Sequence, residues 1–91
     1  MPPRILVVED DSDIAQLVER YLEKAGYVVD RAASGKEALQ AIQARPPDAL
    51  VLDLMLPQVD GLEVCRRVRA SDVTAAIPVI MLTARDRKSV V

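Results

Sequence analysis

Ile5-Leu6-Val7-Val8-Glu9-Asp10-Asp11 and Ala49-Leu50-Val51-Leu52-Asp53 are two short aliphatic runs that each end in acid. A run of four or five aliphatics bounded by polar residues fits a strand buried on both faces, as in a parallel sheet. In an open parallel sheet, ligands collect beyond the carboxyl ends of the strands, where strand order reverses. If the two strands are neighbours, their terminal carboxylates crowd into one crevice. Such a cluster repels itself unless a hard cation or protons neutralise it. The pattern therefore points to a Mg²⁺ site that presents one aspartate as a nucleophile.

The segments between these runs supply helices. Residues 4–9 read as the first strand, and Asp11 or Ser12 can cap a helix bearing Ile14, Leu17, Val18, Tyr21, Leu22 and Ala25 at steps of three and four. Gly26 is placed to end it in the left-handed conformation. Tyr27-Val28-Val29 reads as a short second strand. Ser34-Gly35-Lys36-Glu37 has capping-box spacing and opens a helix through Ala38, Leu39, Ala41 and Ile42, which Pro46-Pro47 stops. Residues 48–53 are the third strand and residues 54–59 a loop. Asp60-Gly61-Leu62-Glu63 repeats the capping spacing before Val64, Cys65 and Val68. After a turn at Ser71-Asp72, Pro78-Val79-Ile80-Met81-Leu82 is a fourth strand ending at Thr83-Ala84, and residues 85–91 carry no clear pattern. The order β-α-β-α-β-α-β demands right-handed crossovers and a parallel sheet.

Bulk properties narrow the function. Ninety-one residues make one small domain, and 51% hydrophobic content argues against disorder. A net charge of −2 gives no push toward nucleic acid or an anionic membrane. No apolar stretch approaches the ~20 residues of a membrane span, and no signal peptide precedes the first strand. The single cysteine, Cys65, fits a reducing cytoplasm and is expected to be inert core, and the absence of His removes zinc sites and His-based triads within this chain. No Gly-x-Gly-x-x-Gly or Walker-type loop follows any strand.

Together, Ile5–Asp11, Leu52-Asp53-Leu54-Met55-Leu56-Pro57, Asp60-Gly61 and Met81-Leu82-Thr83-Ala84 resemble the receiver domain of bacterial two-component response regulators. The Leu-Met-Leu-Pro form is most similar to the subgroup with a winged-helix DNA-binding output domain. The resemblance implies an α/β, doubly wound parallel sheet of flavodoxin-like (CheY-like) order 2-1-3-4. Carried over residue by residue, it makes Asp53 the phosphoacceptor and Glu9 and Asp10 the acidic pair at a Mg²⁺ (or Mn²⁺) ion. Met55 would offer its backbone carbonyl to the metal, Thr83 would meet the phosphoryl oxygens, and Ala84 would leave room for them. Pro57 and Gly61 would shape the loop. Asp11 and Asp13 are read as helix-start acids favoured by capping and the helix dipole.

The resemblance further implies a cytoplasmic signalling module, not a turnover enzyme, whose partner is a sensor histidine kinase. The winged-helix output domain is absent from this chain, and no direct contact with nucleic acid or membrane is expected. A complete receiver continues through a fourth helix, a fifth strand ending in Lys-Pro, and a fifth helix. This sequence has no Lys-Pro pair, and its lysines are Lys24, Lys36 and Lys88. The whole of residues 1–91 is therefore read as a receiver truncated after its fourth strand. Val79–Leu82 would form an open sheet edge through which the chain becomes a homo-oligomer. The alternative role is a pseudo-receiver that is not phosphorylated and acts by dimerising there. An aspartate-nucleophile phosphatase would need a second aspartate two positions after the nucleophile, where this chain has Met55.

Overall fold

Each short aliphatic run pairs with another such run. In the computed structural model, which describes residues 2–53 and 61–82 (residue 82 by its backbone), the order is β1 (Arg4–Val8), α1 (Ser12–Lys24), β2 (Val28–Ala32), α2 (Gly35–Ala44), β3 (Ala49–Asp53), α3 (Gly61–Ala70) and β4 (Val79–Leu82). The strands form one parallel sheet in the order β2-β1-β3-β4. Val8 sits opposite Leu52, and Asp53 opposite Leu82. The expectations placed on Met55, Pro57, Asp60, Thr83, Ala84 and residues 85–91 lie outside the described residues.

The period of two along each strand divides the core. Leu6, Val8, Leu50 and Leu52 point to one face, where α2 and α3 cover them with Ala38, Ile42, Val64 and Val68. Cys65 packs against this cluster as a half-buried free thiol. Ile5, Val7 and Val51 point to the other face, where α1 contributes Val18 and Leu22. Helices on both faces make the sheet doubly wound, as the alternating pattern requires.

The helix ends follow local chemistry. Asp11 is the N-cap of α1, and Ser34 accepts the Glu37 N–H at the start of α2. Glu37 answers with a bond from the Ala33 N–H, 3.2 Å, one position before the cap. α1 ends with Gly26 at φ 97, while the Gly26 N–H reaches Glu23 O and the Tyr27 N–H reaches Leu22 O, a Schellman closure. Beyond α3, the Thr74 hydroxyl donates to Val68 O and the Arg69 guanidinium to the carbonyls of Ala75 and Ile77. These bonds fix the turn that delivers β4.

Two expectations are corrected. The second strand is not Tyr27–Val29 but Val28–Ala32. Tyr27 is spent on the helix closure, and Asp30 and Arg31 are accommodated because β2 is an outer strand with solvent beside it. Asp30 there pairs with Arg4, and Arg31 lies 3.4 Å from Glu19 of α1. Nor does the whole apolar stripe of α1 face the core: Leu17 and Tyr21 are exposed, whereas Ala15 is buried. Among the described residues, no helix is long and apolar enough to cross a membrane.

Burial predicts how two leucines differ. Leu50→Ala should lower the free energy of unfolding by about 2–5 kcal/mol, because Leu50 is fully enclosed. Leu17→Ala should change it by less than about 0.5 kcal/mol. Urea unfolding of the two variants measures the contrast, and equal losses would contradict this assignment of the core.

Candidate metal centre

The chain leaves β1 and β3 at the same end of the sheet, and the carboxylates that follow are forced together. Glu9 stands one residue beyond β1, its N–H donating to Ala32 O of β2 at 3.0 Å. Asp53 is the last residue of β3. Glu9, Asp10 and Asp53 each bring a carboxylate oxygen to within 4.8 Å of the others. Glu9 and Asp53 are buried, only 4% and 3% exposed, while Asp10 faces solvent.

Three acids this close cannot all be ionised without cost. Burial is the main force on Glu9, pushing its carboxyl up to about 7, and the nearby Asp10 and Asp53 side chains add to the rise. The Asp11 N–H donates to Glu9 Oε2 at 3.0 Å and opposes the rise by favouring the anion. Glu9 thus holds its proton more tightly than an ordinary carboxyl does.

That donor set fits a hard divalent cation. Mg²⁺ takes oxygen ligands, is commonly held by one or two carboxylates, and keeps several waters. Here the solvent-facing Asp10 is open to a hydrated ion, while Glu9 and Asp53 form a buried floor. The residues predicted to bind metal thus meet within the described residues for Glu9, Asp10 and Asp53. Met55 lies outside them, as do Thr83 and Ala84. Gly61 is buried at the first position of α3.

Asp11 has a second contact that sequence reasoning did not reach. It caps α1, as its position after β1 predicts, and its main chain also holds Glu9. Spacing alone signals a cap, since a bond from an N–H two residues along depends on the turn of the backbone.

Residues 5–91 match the response regulator receiver domain family. The chain is 48% identical over 89 residues to the response regulator MprA of Mycolicibacterium vanbaalenii, covering 98% of this chain and 38% of that protein. It is 47% identical over 89 residues to the phosphate regulon transcriptional regulatory protein PhoB of Rhizobium meliloti, covering 98% and 39%. The chain therefore spans about two fifths of the length of these curated relatives. The receiver domain of a sensor histidine kinase from Pseudomonas aeruginosa, solved with a magnesium ion coordinated in its active-site cleft, superposes with a TM-score of 0.87. It is 33% identical, over 97% of this chain and 75% of that one.

The raised Glu9 carboxyl predicts a direction with pH. A carboxyl that binds its proton more tightly folded than unfolded adds stability that is complete below its ordinary value near 4.5 and disappears as pH rises through about 7. In metal-free buffer, wild type should lose more stability than Glu9→Gln between pH 5 and pH 8, and Mg²⁺ at pH 8 should restore part of it to wild type alone. Parallel pH profiles in urea unfolding would refute the role of Glu9.

Proposed function

The chain belongs to the response regulator receiver domain family, and on that premise we propose that it is a phosphoacceptor module receiving a phosphoryl group on Asp53 from a sensor histidine kinase. The observation that carries this reading is the meeting of Glu9, Asp10 and Asp53 at the ends of β1 and β3. Buried at the end of a central strand, Asp53 is a carboxylate held still for attack. One of its oxygens bonds to phosphorus as the phosphorus–nitrogen bond of a phosphohistidine breaks, and the imidazole leaves with the electron pair and takes up a proton. Such transfers rely on positioning and charge stabilisation more than on covalent assistance.

Glu9 and Asp10 would hold Mg²⁺ (or Mn²⁺) together with Asp53, with the Met55 carbonyl as a further ligand. When bound, the ion neutralises the carboxylates and the incoming phosphoryl oxygens. By the family resemblance, Thr83 and Ala84 would meet and admit the phosphoryl group. The role is that of a cytoplasmic substrate that assists its own modification, not of a turnover enzyme. A magnesium ion in the cleft of the Pseudomonas aeruginosa domain supports the cofactor. The name of the Rhizobium meliloti relative, a transcriptional regulatory protein, supports a transcriptional output.

A second reading rests on β4, an outer strand of the sheet that the described residues form. Val79, Ile80, Met81 and Leu82 carry no charge, and Ile80 is 57% exposed. β2, the other outer strand of the described sheet, carries Asp30 and Arg31. Charged residues discourage strand pairing at an edge, and β4 lacks them. The chain would then dimerise through β4, with or without phosphorylation.

Two experiments separate these readings. Mass spectrometry after acetyl phosphate treatment should show one added phosphoryl group that requires Mg²⁺ and is lost in Asp53→Asn. Labelling unchanged in that variant would remove Asp53 from the role. Sedimentation of the 91-residue chain should show a dimer that Ile80→Lys converts to monomer, and a monomeric wild type at high micromolar concentration would defeat the edge-pairing reading.

A further inference from the structure

Asp11 joins two parts of the molecule that the proposed chemistry needs in register. Its Oδ1 accepts the N–H groups of Asp13 and Ile14 at 2.9 and 3.2 Å, and its carbonyl accepts the Ala15 N–H at 3.0 Å. Those bonds seize the first turn of α1, and Ala15 is only 1% exposed, so the turn is fastened to the body of the domain. The backbone of Asp11 is extended, at φ −82 and ψ 112, as an N-cap requires. In that conformation its own N–H turns back to Glu9 Oε2 at 3.0 Å.

We propose that Asp11 is a positioning residue for the acidic cluster. By capping α1 it sets the peptide plane whose N–H holds the Glu9 carboxylate beside Asp10 and Asp53. The inference rests on the metal-binding reading above and adds to it a residue that touches neither metal nor phosphoryl group. The link acts through backbone geometry, so a neutral cap should serve as well as a charged one. Asn caps helices about as well as Asp, whereas Ala offers no acceptor. Groups that orient metal ligands typically contribute tenfold or more to metal affinity.

Calorimetric Mg²⁺ titration of the folded protein, together with amide hydrogen exchange in its metal-free form, tests the link. Asp11→Ala should weaken Mg²⁺ about tenfold and speed exchange at the Asp11-position and Ile14 amides without metal. Asp11→Asn should stay within about threefold of wild type in affinity and keep the slow exchange. Asp11→Gly, tolerated at helix starts but lacking the acceptor, replaces Asp11→Ala if the latter does not fold. Wild-type affinity in Asp11→Ala or Asp11→Gly would overturn the proposal. So would equal losses in Asp11→Asn and Asp11→Ala, which would make charge the cause. A wild type that binds no Mg²⁺ would instead refute the metal reading, and the exchange rates would still decide whether Asp11 fixes the turn.

Discussion

Parallel pairing of β1 with β3 sets like charges side by side, and the rest of the site is a response to that placement. Val8 opposite Leu52 brings the chain beyond β1 level with Asp53. The pairing is secured by fully enclosed aliphatics on both faces of the sheet, among them Val7, Val8, Leu50 and Leu52. The hydrophobic core thus holds in place a cluster that electrostatics alone would scatter. Repulsion among buried carboxylates, relieved by protons or by a cation, is the property on which the proposed chemistry draws.

The opposite pole of the sheet is neutral by comparison and does different work. Arg4 there pairs with Asp30 and donates to Arg45 O, while its main-chain N–H donates to Asp48 Oδ2 at 2.7 Å. One residue ties the starts of β1 and β3 to β2 and to the end of α2. At the tips that carry the acids, the Glu9 N–H donates to Ala32 O and the Asp11 N–H to Glu9 Oε2. An anchored pole at one end and an acidic cluster at the other suit the phosphoacceptor role proposed above.

Much of this was legible in the residues, for physical reasons. Strands buried on both faces need unbroken aliphatic runs, so β1 and β3 stood out. Acids directly after them marked the cluster of Glu9, Asp10 and Asp53. Ser34 and Gly26 announced helix ends because few other residues satisfy a cap or a positive φ. β2 was harder. As an outer strand it tolerates Asp30 and Arg31, and composition gave no reason to extend it past Val29. The exposure of Leu17 and Tyr21 was also hidden, because a helical stripe shows which residues share a side but not how wide the neighbouring sheet is. The double contact of Asp11 depends on one peptide orientation, which no spacing rule reports.

The central claim is that acids from the ends of β1 and β3 share one divalent ion. Crystals soaked in Mn²⁺ and measured near the manganese absorption edge test it most directly. A single strong anomalous peak is expected, bonded to carboxylate oxygens of Asp10 and Asp53, with Glu9 bonded directly or through one water. A strong peak elsewhere, with none between the tips of β1 and β3, would contradict it.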